Sequence, residues 1–244
     1  MNITEGYIDI HTHILPGVDD GSKNMDETVQ MLSAALKQGI KTIIATPHFA
    51  VGRENTPVDQ LNSIRDMVQA EAKKLDKDLK IEIGNELYYS KSIIDALKSK
   101  EALTLAGGRY VLVEFSVNEK YREIYRGLND LVRAGYAPVL AHMERYFCLN
   151  KREDLVSELI EMGVYIQMNS SSLIGGIFNS EAALNRKLVK QGFVHFIGSD
   201  CHDQKYRVPS MQSAVDALRK KCDNALITSI FLENPRNILE NTYI

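Results

Sequence analysis

The stretch LNDLVRAGYAPVLAH, residues 128–142, carries a whole folding instruction. Leu128, Leu131 and Val132 recur at helical spacing, Gly135 ends the helix, and an apolar run from Ala137 leads into His142. The order helix, glycine, strand returns in VSELIEMGVYIQMN (156–169) and NRKLVKQGFVHFIGSD (185–200), and MDETVQMLSAALKQG (25–39) opens it with acids at the helix start. Seven short apolar, β-rich runs are predicted as strands: 7–11, 41–48, 80–87, 110–115, 137–142, 164–169 and 193–200. Strands that are apolar nearly throughout, separated by helices, belong to a parallel sheet covered by helices. No linker or low-complexity segment breaks the sequence, so residues 1–244 read as one domain.

Placing the polar residues on this frame shows where chemistry belongs. His11 and His13, His48, Glu86, Glu114, His142, and Asp200 with His202 all fall at or just past the C-terminal end of a predicted strand. In a closed β/α barrel that rim carries the active site, whereas an open doubly wound sheet concentrates its ligands at one switch point. Ligands on six strands favour closure, and the expected fold is an α/β barrel with seven strands rather than eight. Side chains alternate along a strand, so the H-x-H of DIHTHILPGVDDG (9–21) sends His11 and His13 to one side and Thr12 to the other. By the same parity Asp200 and His202 project together and Cys201 faces away. Taken singly, a histidine near a strand end is usually a satisfied polar residue and a glutamate is usually solvated. Gathered on one rim, with an aspartate from VDDG, nine such groups need cations to offset their mutual repulsion and desolvation. Two ions sharing a carboxylate suit phosphoryl transfer, and a third neutralises a further phosphate oxygen. Arg145 and Arg207, just downstream of ligand strands, offer planar forks for phosphate, and Arg53 is a weaker candidate. His195 has the opposite parity to Asp200 and reads as structural. Tyr88 and Tyr89 read as core or rim.

The bulk numbers are ordinary: 44% hydrophobic, 25% charged, net charge −3. They give no electrostatic footprint for nucleic acid. No run approaches the roughly 20 apolar residues of a membrane span, and MNITEGYIDIH lacks the regions of a signal peptide. Three widely spaced cysteines argue for a reducing compartment, and the expected location is the cytosol.

The segments DIHTHILPGVDDG, ATPHF, GNELY, LVEF, AHMERY, NSSSL and GSDCH resemble the PHP superfamily. Within it they resemble the manganese-dependent protein-tyrosine phosphatases of bacterial capsule and exopolysaccharide loci, from about Tyr7 to at least Arg207. The resemblance implies an α/β fold of the distorted (β/α)7 TIM-like barrel type and three Mn2+ ions, with Fe or Zn able to occupy a purified sample. His11, His13, Glu86 and Asp200 would hold the first ion, and Glu86, Glu114 and His142 the second. Asp20, in preference to Asp19, would join His48 and His202 at the third. Arg145 and Arg207 match the phosphate-binding arginines, with Asp200 and His202 in the catalytic constellation. The implied reaction is hydrolysis of phosphotyrosine by a metal-activated hydroxide. The implied partner is the tail of a bacterial tyrosine kinase, with phosphate or a similar anion in the site. Cys201 and Arg207 have the spacing of a cysteine-phosphatase loop, but CHDQKYR lacks the glycines that turn amides inward, and Cys201 reads as a packing residue. A histidinol-phosphatase-like small phosphomonoesterase is the alternative. An amidohydrolase and a phosphotyrosine-binding module without turnover are the more distant readings.

Overall fold

The computed structural model describes residues 6–176 and 178–244. The expectation of no signal peptide falls partly on residues 1–5, which lie outside the described residues. Among the described residues, nine strands fall on the seven predicted stretches. They are β1 (Tyr7–Thr12), β2 (Ile40–Ala45), β3 (His48–Phe49), β4 (Lys80–Ile83), β5 (Glu86–Tyr88), β6 (Tyr110–Glu114), β7 (Ala137–Leu140), β8 (Tyr165–Asn169) and β9 (Phe196–Gly198). All pair in parallel, in a three-stranded sheet β1-β2-β4 and a six-stranded sheet β3-β5-β6-β7-β8-β9.

Two predicted strands are therefore broken. The run 41–48 parts at Thr46–Pro47 and the run 80–87 at Gly84–Asn85. Pairing survives across both gaps, because Gly84 N–H donates to the Ala45 carbonyl at 2.8 Å and Glu86 N–H to the Pro47 carbonyl at 3.1 Å. Asn85 fills in with its side chain, donating to Pro47 O at 2.9 Å and accepting from Leu103 N–H at 2.8 Å. The sheet then curls back on its first strand. Thr12 bridges Cys201 in parallel, Asp200 N–H donates to His11 O at 2.8 Å, and His13 N–H donates to Cys201 O at 2.8 Å.

The helices follow their sequence signals. The first, α1 (Met25–Lys37), is capped by the Asn24 side chain, which accepts from Glu27 N–H, with Asp26 and Glu27 in its first turn. Next come α2 (Val58–Leu75), α3 (Ile93–Lys98) and α4 (Tyr121–Arg133). Ile124, Gly127, Leu128 and Leu131 form the buried stripe of α4. They are followed by α5 (Glu153–Glu161), α6 (Ser180–Lys190), α7 (Met211–Leu218), α8 (Asn224–Thr228) and α9 (Asn234–Glu240). Gly39, Gly135, Gly163 and Gly192, the punctuation of the repeat, all sit at positive φ.

Alternation along the strands makes two apolar clusters. One joins Ile43, Val111, Leu140, Ile166 and Ile197 to helix residues such as Leu32, Val68, Leu128 and Val189. The other takes the neighbouring positions Ile44, Tyr110, Leu112, Val139 and Phe196, with Ile238 of α9. Both strand faces are thus covered, which explains their unbroken apolar character. Truncating one of these fully buried aliphatic side chains to alanine costs about 2–5 kcal/mol. His195 precedes β9 and is structural in its contacts. Its Nδ1 accepts from Ile166 N–H at 3.0 Å, and burial lowers its pKa to about 4.

Candidate metal centre

Beyond the strand ends the polar residues meet. His11 and His13 leave β1 on the same side. His13 Nδ1–H donates to Asp19 at 2.7 Å, and His11 Nδ1 lies 3.2 Å from Gln167 Oε1. Each turns Nε2 inward, to 3.2 Å from Glu86 Oε2 and to 3.4 and 3.6 Å, respectively, from Asp200 Oδ1. Ligand atoms of His11, His13, Glu86 and Asp200 lie within 4.8 Å of one another, and all four residues are buried. This is the set expected for a first ion.

A second such group is His13, Asp20, His48 and His202, and a third is His48, Glu86 and Glu114. His48 serves both through its two nitrogens. Nε2 stands 3.3 Å from Asp20 Oδ1, and Nδ1 stands 3.2 Å from Glu86 Oε2 and 3.4 Å from Glu114 Oε1. His142 adjoins the third group, with Nε2 2.8 Å from Glu86 Oε1 and 3.6 Å from Glu114 Oε2. The second group holds the expected Asp20, His48 and His202 with His13 added, whereas the third has His48 with Glu86 and Glu114, and the expected His142 stands beside it rather than in it. Asp19 and Asp20 divide the work. Asp20 faces His48 and His202, while Asp19 faces the far nitrogen of His13 and the backbone N–H groups of His48 and Gly21.

The electrostatics favour a cation. Burial works against the Glu86 charge, but the His11, His13 and His142 rings outweigh it and hold the carboxyl well below its usual range. Burial also opposes charge on His13 and His142, yet hydrogen bonds to Asp19 and Glu86, and to Glu114 and Glu86, push each up to about 10. His202 goes the other way: burial, then His13 and Arg207, lower it to about 4. Its Nδ1–H donates to the Asp200 carbonyl at 3.0 Å. The electron pair on Nε2, buried and without a hydrogen-bond partner, therefore faces Asp20 Oδ1 at 3.4 Å. Two acceptors turned on each other fit a metal ion between them, and the histidine–carboxylate donor set suits manganese, iron or zinc.

Backbone geometry makes room for this crowding. Asp200 and His142 lie past their strands at φ 52° and 35°, left-handed values that cost non-glycine residues of order 1–3 kcal/mol. Asp200 thus reaches His11 and His13 from a left-handed turn past β9 rather than by alternation within a strand. Gly198 has no space for a side chain, since a Cβ there would lie 2.7 Å from His11 Cβ. Cys201 packs into the apolar core and burial pushes its thiol pKa up, unlike a nucleophile's.

Both arginines converge on the outer oxygen of Asp200, Arg207 at 2.6 Å and Arg145 at 3.6 Å, and both stay partly exposed. Arg53 lies exposed in the turn after β3, beside a separate groove lined by Phe49, Asn55 and Lys100. Tyr88 is exposed, and Tyr89 stacks on Phe115 at 4.9 Å. A groove of about 670 Å³ leads from Asp20 and His202 past Lys23, Asn24 and Tyr206. Another of about 590 Å³ runs from Arg145 along Phe147, Ser172 and Asn185. The residues overlooked in the sequence are Gln167 and Asn169 of β8, which hold His11 and Asp200. Their signal was two polar residues of one parity in the only predicted strand without a metal ligand.

A curled parallel α/β sheet with histidines and carboxylates converging beyond its strand ends defines a candidate polynuclear metal-site protein. The fold alone is shared with the phosphotriesterase homology protein of Escherichia coli, at a TM-score of 0.60 and 13% identity over 95% of this chain and 97% of that one. Residues 7–240 match the model of the capsular polysaccharide synthesis family CpsB/CapC, and the chain belongs to that family. It is 37% identical to the tyrosine-protein phosphatase CpsB of Streptococcus pneumoniae over 97% of this chain and all of that one. It is 33% identical to the tyrosine-protein phosphatase YwqE of Bacillus subtilis over 97% and 93% of the two chains. Crystallographic work on YwqE and CpsB, described as unique metal-dependent tyrosine phosphatases, provides a structure matching at a TM-score of 0.88 and 32% identity, covering 97% of this chain and 96% of that one. Among the described residues no helix is long and apolar enough to cross a membrane.

Proposed function

We propose that this chain is a metal-dependent protein-tyrosine phosphatase acting on a bacterial tyrosine kinase that controls capsule or exopolysaccharide synthesis. In this reading residues 1–244 are one domain, and the nine strands are seven staves, two of them broken, of a closed (β/α)7 barrel of PHP type. His11, His13, Asp20, His48, Glu86, Glu114, His142, Asp200 and His202 hold three divalent ions, natively Mn2+, and the protein works in the cytosol. Bound there, the ions supply Lewis acidity at the phosphoryl oxygens and lower the pKa of water.

The observation that carries the reading is two partly exposed arginines seated on the outer oxygen of a buried ligand carboxylate. A phosphotyrosine dianion entering from solvent would otherwise meet Asp20, Glu86, Glu114 and Asp200 and be repelled. Arg145 and Arg207 offset that repulsion and orient the phosphoryl group through planar N–H forks. Asp200 holds the arginines on one oxygen and faces the ligand histidines with the other. Asp19 holds the His13 ring so that its Nε2 points inward. Cys201 takes no part, so no phosphocysteine forms. The two grooves give a peptide on either side of the phosphotyrosine somewhere to lie, which favours a protein substrate over histidinol phosphate.

The test is phosphate release by metal-stripped protein, with Mn2+ restored or chelator present, from a phosphotyrosine peptide and from histidinol phosphate. Manganese-dependent turnover of the peptide supports the reading. Turnover of histidinol phosphate alone moves the chain to a small phosphomonoesterase, and no turnover of either by metal-loaded protein sinks both.

A further inference from the structure

We propose that Gln167 and Asn169 are positioning residues, a polarised amide relay that presents His11 and Asp200 to one ion; this rests on the metal-site reading above. The relay lies on β8, which contributes no ligand of its own. Gln167 is fully buried, and Asn169 is 7% exposed. Gln167 Oε1 lies 2.7 Å from the backbone nitrogen of His142 and 3.2 Å from His11 Nδ1. Gln167 Nε2 lies 2.9 Å from Asn169 Oδ1, and Asn169 Nδ2 lies 2.8 Å from Asp200 Oδ2.

The direction of every bond in this chain follows from one group. A backbone N–H can only donate, so the Gln167 atom opposite His142 N is the carbonyl oxygen. That oxygen then requires a proton on His11 Nδ1, which leaves the His11 electron pair on Nε2, the nitrogen facing Glu86 and Asp200. The other end of the Gln167 amide must donate, so Asn169 accepts through Oδ1 and donates through Nδ2 to Asp200. The carboxylate is thereby fixed with Oδ2 outward and Oδ1 toward His11. Two ligands of one ion, 189 positions apart in the sequence, are aligned through two amides and one peptide N–H. His142 stands at φ 35°, so the peptide that sets the polarity is itself held by the turn that presents another ligand. Removing a group that orients a ligand's far side typically costs about 10–100-fold in metal affinity.

The experiment uses the full chain, labelled with 15N at histidine and titrated with Zn2+ alone. Histidine 15N shifts report which ring nitrogen holds the proton, and competition titration reports the dissociation constant. In the wild type His11 and His13 both show protected Nδ1 protons. Gln167→Met, of similar length but without the amide, loses the His11 proton signal, keeps that of His13, and weakens zinc binding about 10–100-fold. Gln167→Glu restores an acceptor at the same place and returns the His11 signal. Asn169→Leu keeps the His11 signal yet weakens zinc binding. A Gln167→Met protein that retains a protected His11 Nδ1 proton and binds zinc within about twofold of wild type overturns the proposal. If that variant does not fold, a Gln167→Glu protein lacking the His11 signal, or an Asn169→Leu protein with unchanged affinity, overturns it equally. Wild-type protein that binds no zinc would refute the metal-site reading instead, and the His11 tautomer read in the same spectra still decides the role of Gln167.

Discussion

Asp19→Asn is nearly isosteric, yet its effect on the site can be worked out atom by atom. The Asp19 side chain is 5% exposed. Its Oδ2 accepts from His13 Nδ1 at 2.7 Å and from His48 N–H at 3.2 Å, and its Oδ1 accepts from Gly21 N–H at 3.0 Å. Asparagine offers a single oxygen, so its NH2 must confront a donor on one side or the other. Facing Gly21, it strands a buried N–H and costs of order 1–3 kcal/mol of stability. Facing His13, it forces the ring to accept at Nδ1 and carry its proton on Nε2, where it blocks the electron pair aimed at the ion. The expected loss is about 10–100-fold in metal affinity, or about 1.4–2.7 kcal/mol. Competition against a fluorescent chelator measures it, with ion stoichiometry read in parallel. Asp20→Asn, by contrast, weakens one ion and leaves the others bound. An Asp19→Asn protein that binds every ion within about twofold of wild type, with an unchanged melting temperature, refutes the reasoning.

Three further outcomes are expected. Stripping the ions removes stabilisation of about 2.7 kcal/mol for a site loaded at 100 times its dissociation constant, which for this chain length lowers the melting temperature by about 5–10 °C. Calorimetry with and without chelator checks this, and equal melting temperatures would contradict it. Cys201→Ser retains turnover within about threefold, because the thiol lies in the core and not among the reacting groups; loss of activity with metal still bound would overturn that. His195 has a depressed folded-state pKa of about 4 against 6.5, so the unfolded chain binds the extra proton first. Its contribution, of order 3 kcal/mol, is complete above pH 6.5 and is lost as pH falls from there through 4. Denaturant midpoints across that window should fall less steeply in His195→Gln, and parallel profiles would disprove the assignment.

The helix, glycine, strand grammar was legible because it is local: periodicity and a positive-φ glycine are written in adjacent residues. The convergence of histidines and carboxylates was legible because a candidate ligand at a strand end stands beside its strand in the sequence. The strand breaks were not, since Gly84 and Asn85 keep the pairing through a bare backbone N–H and a side-chain amide, which apolar patterning does not register. Asp19 and Asp20 are neighbours of one type, and only the turn separates a carboxylate facing His48 from one facing the back of His13. Gln167 and Asn169 escaped notice because neutral amides carry no ligand chemistry of their own. Their importance lies in bonds to residues 25 to 156 positions away.

Asp200 divides its charge between two customers. Oδ1 looks toward His11 and His13, and Oδ2 is shared by Arg207, Arg145 and Asn169. A phosphate that draws the arginines away leaves more negative charge for a cation at Oδ1, while a cation there drains the carboxylate and loosens its hold on the arginines. Thermodynamic reciprocity then requires that anion and cation each tighten the other's binding by the same factor. The metal-loaded protein should retain its ions most firmly when phosphate is abundant, so that a single carboxylate makes occupancy of the centre answer to the supply of its own product.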